Sequence, residues 1–398
     1  MMGTSRSLAP WLAAVIVFLS FCAAGLRADG PRKVSVLRFW PSNHALIGCQ
    51  FVQFLPDGVH GVVESRWTGP TSIATAHNWW PSLGFGSPLG THGIIHQDLS
   101  QISPELKVHY SARGCLSGDG AVFASSITGP GGVPAICIWS VKSKRCISRI
   151  VLHRARNFRT GPAHLALSLH GRRIVFRGSD GSLHVVRVKG GTIAFRLPLP
   201  NLKNSGGLVG ICFAGGDRIV AASVQHLMAW TLPGGRMIYR KAMADRKRSG
   251  FSCMIPADAG NILVCSGWSG TKAELPVWVY TAASGRLKRA FRFPNRLARK
   301  LSATGGRNPW FNAMGTCLSV AAKGEVAAIA EQVSGDIRQP FPGGFGRYIV
   351  FDLKTGDAVA KSGAIMGGLW SASLSPNGRE LLGATAGSIR LWAVARRP

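Results

Sequence analysis

Histidines are the first residues in this sequence that could do chemistry. Six of the eleven, His44, His60, His77, His92, His96 and His109, fall between residues 44 and 109. His92 and His96 have the spacing that puts two imidazoles on one helical face, with Asp98 close by. A zinc hydrolase built on such a pair needs further converging ligands and a glutamate base between the two. Ile94-Ile95 stand there instead, and the segment reads as loop and strand, so no metal is expected. Carboxylates are scarce. The seventeen Asp and Glu are thinly spread, with no close pair at opposed strand ends of the kind that cleaves glycosides. No Gly-x-Ser-x-Gly elbow occurs. The Gly-rich stretches Gly129 to Gly132 and Gly343 to Gly346 lack the Lys-Ser/Thr ending of a phosphate loop. The sequence predicts no catalytic residue and no cofactor.

The nine cysteines include Cys22 near the N-terminus, leaving eight beyond it. An even number suits an oxidising compartment, and no Cys-x-x-Cys is present. Cys253 and Cys265 lie symmetrically about Ala259, the centre of an expected turn, and that register would let them bridge neighbouring strands. Cys137 and Cys146 flank another expected turn and form a second candidate bridge. Cys49, Cys115, Cys212, Cys253 and Cys317 each precede the middle of a turn by about four to eight residues. Small apolar groups pack well at such crowded positions, which is the simpler reading of them.

Charge is the strongest chemical signal. Lys and Arg number 47 against 17 acids, a formal net charge of +30. Such an excess attracts polyanions. The basic residues cluster with aromatics in particular segments: Arg154, Arg156 and Arg159; Arg246, Lys247 and Arg248; Trp268 and Lys272; Arg296, Arg299 and Lys300, running on to Arg307 and Trp310; and an insertion from Gln332 to Gly346 holding Phe341 and Phe345. Residues 1–28 read as a signal peptide: Arg6 is the positive n-region, Trp11 to Phe21 the apolar run, and Ala28 the residue before the cut. Phe21 before Cys22 does not suit lipid attachment. An uncleaved N-terminal anchor is the other reading, and no later stretch is apolar and long enough to span a bilayer. Export argues against nucleic acid as partner and leaves a protein, an anionic glycan or an envelope surface.

The elements that must position these groups are short strands. Leu369 to Val394 holds three apolar runs separated by Ser375-Pro376-Asn377-Gly378 and Thr385-Ala386-Gly387-Ser388, the pattern of three antiparallel strands. Aligned on Trp392, earlier copies fall at Phe351, Tyr280, Trp230, Val186 and Trp139. Turns recur upstream of each copy: Ser117 to Gly120, Leu169 to Arg172, Ala214 to Asp217, Ala257 to Gly260, Ala322 to Gly324, and first at Leu55-Pro56-Asp57-Gly58. Most copies are separated by the length of a four-stranded propeller blade.

This pattern resembles WD40-type repeats, most clearly over residues 369–394 and 114–153. It departs from them in lacking the Gly-His pair and in keeping the Asp after the aromatic only as Asp352. The resemblance implies an all-β, single-domain, seven-bladed β-propeller over residues 33–398. In that family a fourth strand follows the aromatic, so the last repeat is one strand short. Lys33 to Phe39 is the strand expected to join it and close the ring. The basic segments would then share one face, because links between blades and links between second and third strands leave from the same end of each sheet. The expected role is a non-catalytic exported scaffold presenting that basic, aromatic-containing face. The alternative is a propeller hydrolase or lyase acting on acidic polysaccharide.

Overall fold

The computed structural model describes residues 36–39, 46–57, 61–67, 80–86, 95–98, 114–128, 133–143, 145–152, 164–200, 207–242, 249–269, 274–294, 313–321, 324–333, 345–363, 365–366, 369–385 and 389–394. Strand β1 is Val36–Phe39. Sheet I comprises β2 (Leu46–Phe54), β3 (Gly61–Trp67), β4 (Trp80–Gly86) and β5 (Ile95–Asp98). Sheet II comprises β6 (Cys115–Leu116), β7 (Val122–Thr128), β8 (Pro134–Ser140) and β9 (Arg145–Val151). Sheet III comprises β10 (Leu165–Leu167), β11 (Arg173–Arg177), β12 (Leu183–Arg187) and β13 (Ile193–Leu197).

Sheet IV comprises β14 (Leu208–Ala214), β15 (Arg218–Ser223), β16 (His226–Thr231) and β17 (Met237–Ala242). Sheet V comprises β18 (Ser249–Ala257), β19 (Ile262–Ser269), β20 (Glu274–Thr281) and β21 (Leu287–Pro294). Sheet VI comprises β22 (Ala313–Val320), β23 (Val326–Val333), β24 (Phe345–Asp352) and β25 (Ala358–Lys361), with β26 (Ile365–Met366) also on β24. Sheet VII comprises β27 (Leu369–Leu374), β28 (Glu380–Thr385) and β29 (Ile389–Ala393), with β1 as its fourth strand. All pairs are antiparallel and, β1 aside, each sheet is built from strands consecutive in the chain.

The predicted N-terminal strand is where the sequence put it. Val36 stands opposite Trp392 and Phe39 opposite Arg390. The repeated aromatic position is also confirmed. Trp139, Trp230, Phe351 and the aliphatic Val186 are fully buried, and Tyr280 and Trp392 are nearly so. Each is the last residue but one of the third strand of its sheet and stands opposite an apolar residue of the second: Trp139 faces Phe123, Trp230 faces Ile219 and Trp392 faces Leu381. In sheets II to VI the pairing of third and fourth strands shifts register at this residue. Such a bulge tightens the local twist and keeps the bulky ring turned into the core while the outer strand coils away.

The turns repeat as closely. In sheets II, III and VII the first hairpin opens with Ser117, Ser168 and Ser375. Each hydroxyl accepts a hydrogen bond from the backbone N–H five residues on, at Val122, Arg173 and Glu380 (3.0, 3.1 and 2.9 Å). The hairpins joining third and fourth strands carry Gly235, Gly285 and Gly356 with φ of 63°, 62° and 81°. An L side chain rarely adopts that left-handed backbone, so glycine is required there.

The core lies between neighbouring sheets. Ile138 and Ile174 pack between II and III, Val185 and Trp230 between III and IV, Phe251 and Ala222 between IV and V, Phe293 and Phe351 between V and VI, and Tyr348 and Trp392 between VI and VII. Phe54 N–H of sheet I donates to Ser373 Oγ of sheet VII at 2.9 Å. A Cβ on Gly120 of sheet II would lie 2.4 Å from Pro56 Cδ of sheet I, so those two turns are in close contact. No helix among the described residues is long and apolar enough to cross a membrane.

Candidate functional site

Antiparallel order sorts the connections into two ends. The strand termini bracketing the predicted basic segments are Val151, Ala242, Pro294, Ser269 and Val333, and each closes a second or fourth strand. These termini therefore share one end of their sheets. Trp268 sits on β19 opposite Gly250, and Phe345 opens β24 opposite Val333. Arg154, Arg156, Arg159, Arg246, Lys247, Arg248, Lys272, Arg296, Arg299, Lys300, Arg307, Trp310 and Phe341 lie outside the described residues. So do all the clustered histidines except His96, which pairs with Gly84 in sheet I. Among the described residues no group of three His, Cys, Asp or Glu could hold a metal ion.

Two polar arrangements at this end were not singled out from sequence. Glu331 on β23 stands directly opposite Arg347 on β24. Arg347 Nε donates to Glu331 Oε2, and the two side chains are 12% and 1% exposed for Arg and Glu respectively. Glu331 Oε1 is buried without a hydrogen-bond partner among the described residues. Burial raises the Glu331 carboxyl above its ordinary value, against the opposing pull of Arg347 and Lys361. A buried pair of this kind is costly to break on one side, since the survivor is left charged in an apolar surrounding. The second arrangement is the β11–β12 hairpin. Ser182 donates to Asp180 from its backbone N–H and its hydroxyl (3.0 and 2.8 Å), and His184 Nε2 lies 3.0 Å from the same carboxylate. Burial works to raise the Asp180 pKa, but the His184 and Ser182 hydrogen bonds outweigh it and hold the group at about 2. Neither cluster had a sequence signal. Glu331 and Arg347 meet only through the register across residues 334–344, and Asp180 looked like any turn aspartate.

The cysteine expectations are partly corrected. Cys137, Cys146, Cys212 and Cys265 are free thiols. The hairpin is centred between Ala259 and Gly260, with Ala257 opposite Ile262, so Cys253 faces Ser266 and Cys265 faces Met254. Opposed residues share a face and successive residues alternate, so the two cysteines lie on opposite faces of sheet V. Cys265 packs in the core shared with sheet IV and Cys253 against the core shared with sheet VI. Symmetry about Ala259 fails because residues 258–261 form a four-residue connection, which puts the hairpin axis between Ala259 and Gly260. Cys137 and Cys146 do approach each other. They lie diagonally on one face of sheet II, opposite Arg149 and Trp139 respectively. Their thiols hydrogen-bond, which brings Cys146 down to about 6 and pushes Cys137 up. As expected, Cys49, Cys115, Cys212, Cys253 and Cys317 all lie on first strands.

No family model matches the chain, and no curated protein matches it. Solved structures do. The β-propeller domain of Cps50 (Swd1) from Myceliophteria thermophila superposes with a TM-score of 0.59 at 12% identity, over 91% of this chain and 100% of that one. Identity so low speaks to fold alone. The chain is thus a β-propeller with WD40-like four-stranded repeats. Since 1546 chains of solved structures match, and propellers host unrelated activities, the fold by itself selects no function.

Proposed function

We propose that the protein is a closed, seven-bladed ring that works by binding. Residues 1–28 direct its export, residues 33–398 form one domain, and one end of the ring presents basic and aromatic loops to a protein or polyanionic partner. The ring is supported by the contacts of each sheet with the next, and by a hydrogen bond at the VII–I seam matching one at the VI–VII seam: Leu374 N–H to Ser319 Oγ at 2.8 Å, Phe54 N–H to Ser373 Oγ at 2.9 Å. Joining the first strand of the chain to the last sheet also leaves no whole blade with an open flank. The observation that carries the binding role is the charge of +30, on strands that bring the basic segments' flanking termini to one end.

The test is affinity capture from the extracytoplasmic fraction by the full chain and by an Arg246→Gln/Lys247→Gln/Arg248→Gln variant, at low and high salt. A partner held by the basic face is released by salt and captured poorly by the variant. Equal capture by both proteins would discard the basic face as the binding surface.

A further inference from the structure

A second basic surface runs around the outside of the ring. The fourth strands of sheets II to V, β9, β13, β17 and β21, carry eight Lys and Arg and no Asp or Glu. Two are engaged: Arg289 Nη1 donates to Leu353 O at 2.8 Å, and Arg292 pairs with Glu274 at 3.2 Å. Arg145, Arg149, Arg196, Arg240, Lys241 and Lys288 are exposed and form no ion pair among the described residues. All the described acids lie elsewhere, Asp119, Asp180, Asp217 and Asp258 among them at hairpin turns. Edge strands do carry charge to block pairing with other chains, and lysine is the usual choice. Arginine predominates here, and its planar fork suits bidentate contact with sulfate or carboxylate.

Between the charges stand exposed aliphatic groups, Ile147, Val151, Ile193, Met237, Ile238 and Leu287. Aromatic rings are withheld: Tyr239 is buried, and Phe195 and Phe291 are half-buried. A surface for single-stranded nucleic acid would expose rings for base stacking. Aliphatic groups instead suit the C–H faces of sugar rings. A flat membrane would touch a convex rim at one or two blades, whereas a flexible chain can follow several.

We propose that the outer strands of sheets II to V form a track for a linear anionic polysaccharide. This rests on the ring reading above and gives the polyanion a place separate from the loop face. The probe is a labelled heparin oligosaccharide, followed by fluorescence anisotropy at about 50 and about 200 mM sodium chloride, a range over which polyanion contacts weaken steeply. Two variants remove the same charge from different places: Arg149→Gln/Arg240→Gln on the rim, and Arg172→Gln/Arg379→Gln at the opposite hairpin turns. Circular dichroism checks that both fold. The rim variant is expected to bind about tenfold more weakly, with a shallower salt dependence, and the turn variant within about twofold of the parent. Equal loss in both variants overturns the track, because net charge alone would then govern binding. Loss on Arg246→Gln/Lys247→Gln/Arg248→Gln with the rim variant unaffected overturns it too, while the loop-face reading survives. No heparin binding by the parent overturns the track and restricts the loop face to protein partners. Tighter binding of a single-stranded oligonucleotide than of heparin overturns the polysaccharide assignment.

Discussion

The backbone N–H of Phe54 donates to the hydroxyl of Ser373 at 2.9 Å, joining positions 319 residues apart. One sheet earlier, Leu374 N–H donates to Ser319 Oγ at 2.8 Å. Ser319 and Ser373 stand two residues before Ala321 and Ser375, which open the first turns of their repeats with matching backbone hydrogen bonds, and Leu374 and Phe54 stand one residue before the turn. The seam between the first and last sheets is therefore made as an internal seam is made. In sheet V the position matching Leu374 is Pro256, which has no N–H to donate.

Ser373→Ala should orphan the buried Phe54 N–H and cost about 1–3 kcal/mol. Ser319→Ala should cost a similar amount through Leu374. Urea denaturation of both variants checks this. A seam that holds the ring should show comparable losses, and a negligible effect of Ser373→Ala alone would mean that the VII–I contact is not part of the cooperative fold.

Glu331→Ala should cost about 3–5 kcal/mol, because Arg347 would be left buried and unpaired. Glu331→Gln tests the pH linkage. The folded carboxyl is raised by burial, so its contribution is fully present below the unfolded value near 4.5 and is lost as pH rises through the folded value. The melting temperature of the Gln variant relative to the parent should therefore climb as pH rises above 4.5. A flat difference would show that the carboxyl titrates normally.

Asp180 behaves in the opposite sense. Its folded pKa of about 2 lies below the ordinary 3.8. The stability this supplies is present above the unfolded value and disappears as pH falls through about 2. Its side chain is 44% exposed, so solvent screening limits the effect, and Asp180→Asn should cost about 1 kcal/mol at neutral pH. Thermal melts at neutral and strongly acidic pH check that the difference closes.

The thiols should separate by environment. After reduction, Cys146 should react with iodoacetamide half-maximally near pH 6, and Cys137→Ser should move that midpoint upward by removing the hydrogen bond. Cys212, pushed up to about 12 by burial, should react only on unfolding. Non-reducing peptide mapping of protein from the extracytoplasmic fraction is expected to find Cys137 linked to Cys146, and Cys253 unlinked to Cys265.

Tyr348 ties sheet VI to sheet VII, its hydroxyl lying 2.9 Å from Ser371 O and 3.0 Å from Ala384 O. Tyr348→Phe should cost about 1–2 kcal/mol without changing the m-value, as measured by urea denaturation.

By itself the sequence determined the repeat. Turn residues at fixed offsets and an apolar or aromatic side chain ending every third strand are local properties of backbone and burial. They identified Trp139, Trp230, Phe351 and Trp392 as core, and the family resemblance they carry put Lys33 to Phe39 beside the last sheet, where Val36 to Phe39 pairs. The basic segments could also be read, because charge needs no fold to be counted. Only the tertiary structure decided which groups meet. The four-residue connection after Ala257 put Cys253 opposite Ser266, and so on the other face from Cys265, since a one-residue slip inverts a strand's faces. Glu331 and Arg347 became a buried pair only through the register of two strands joined by a long link. The unpaired basic residues of β9, β13, β17 and β21 became one outer surface only when their sheets stood side by side. Periodicity fixes each strand's neighbours within a sheet, whereas bulges and the packing of one sheet on the next decide what faces what.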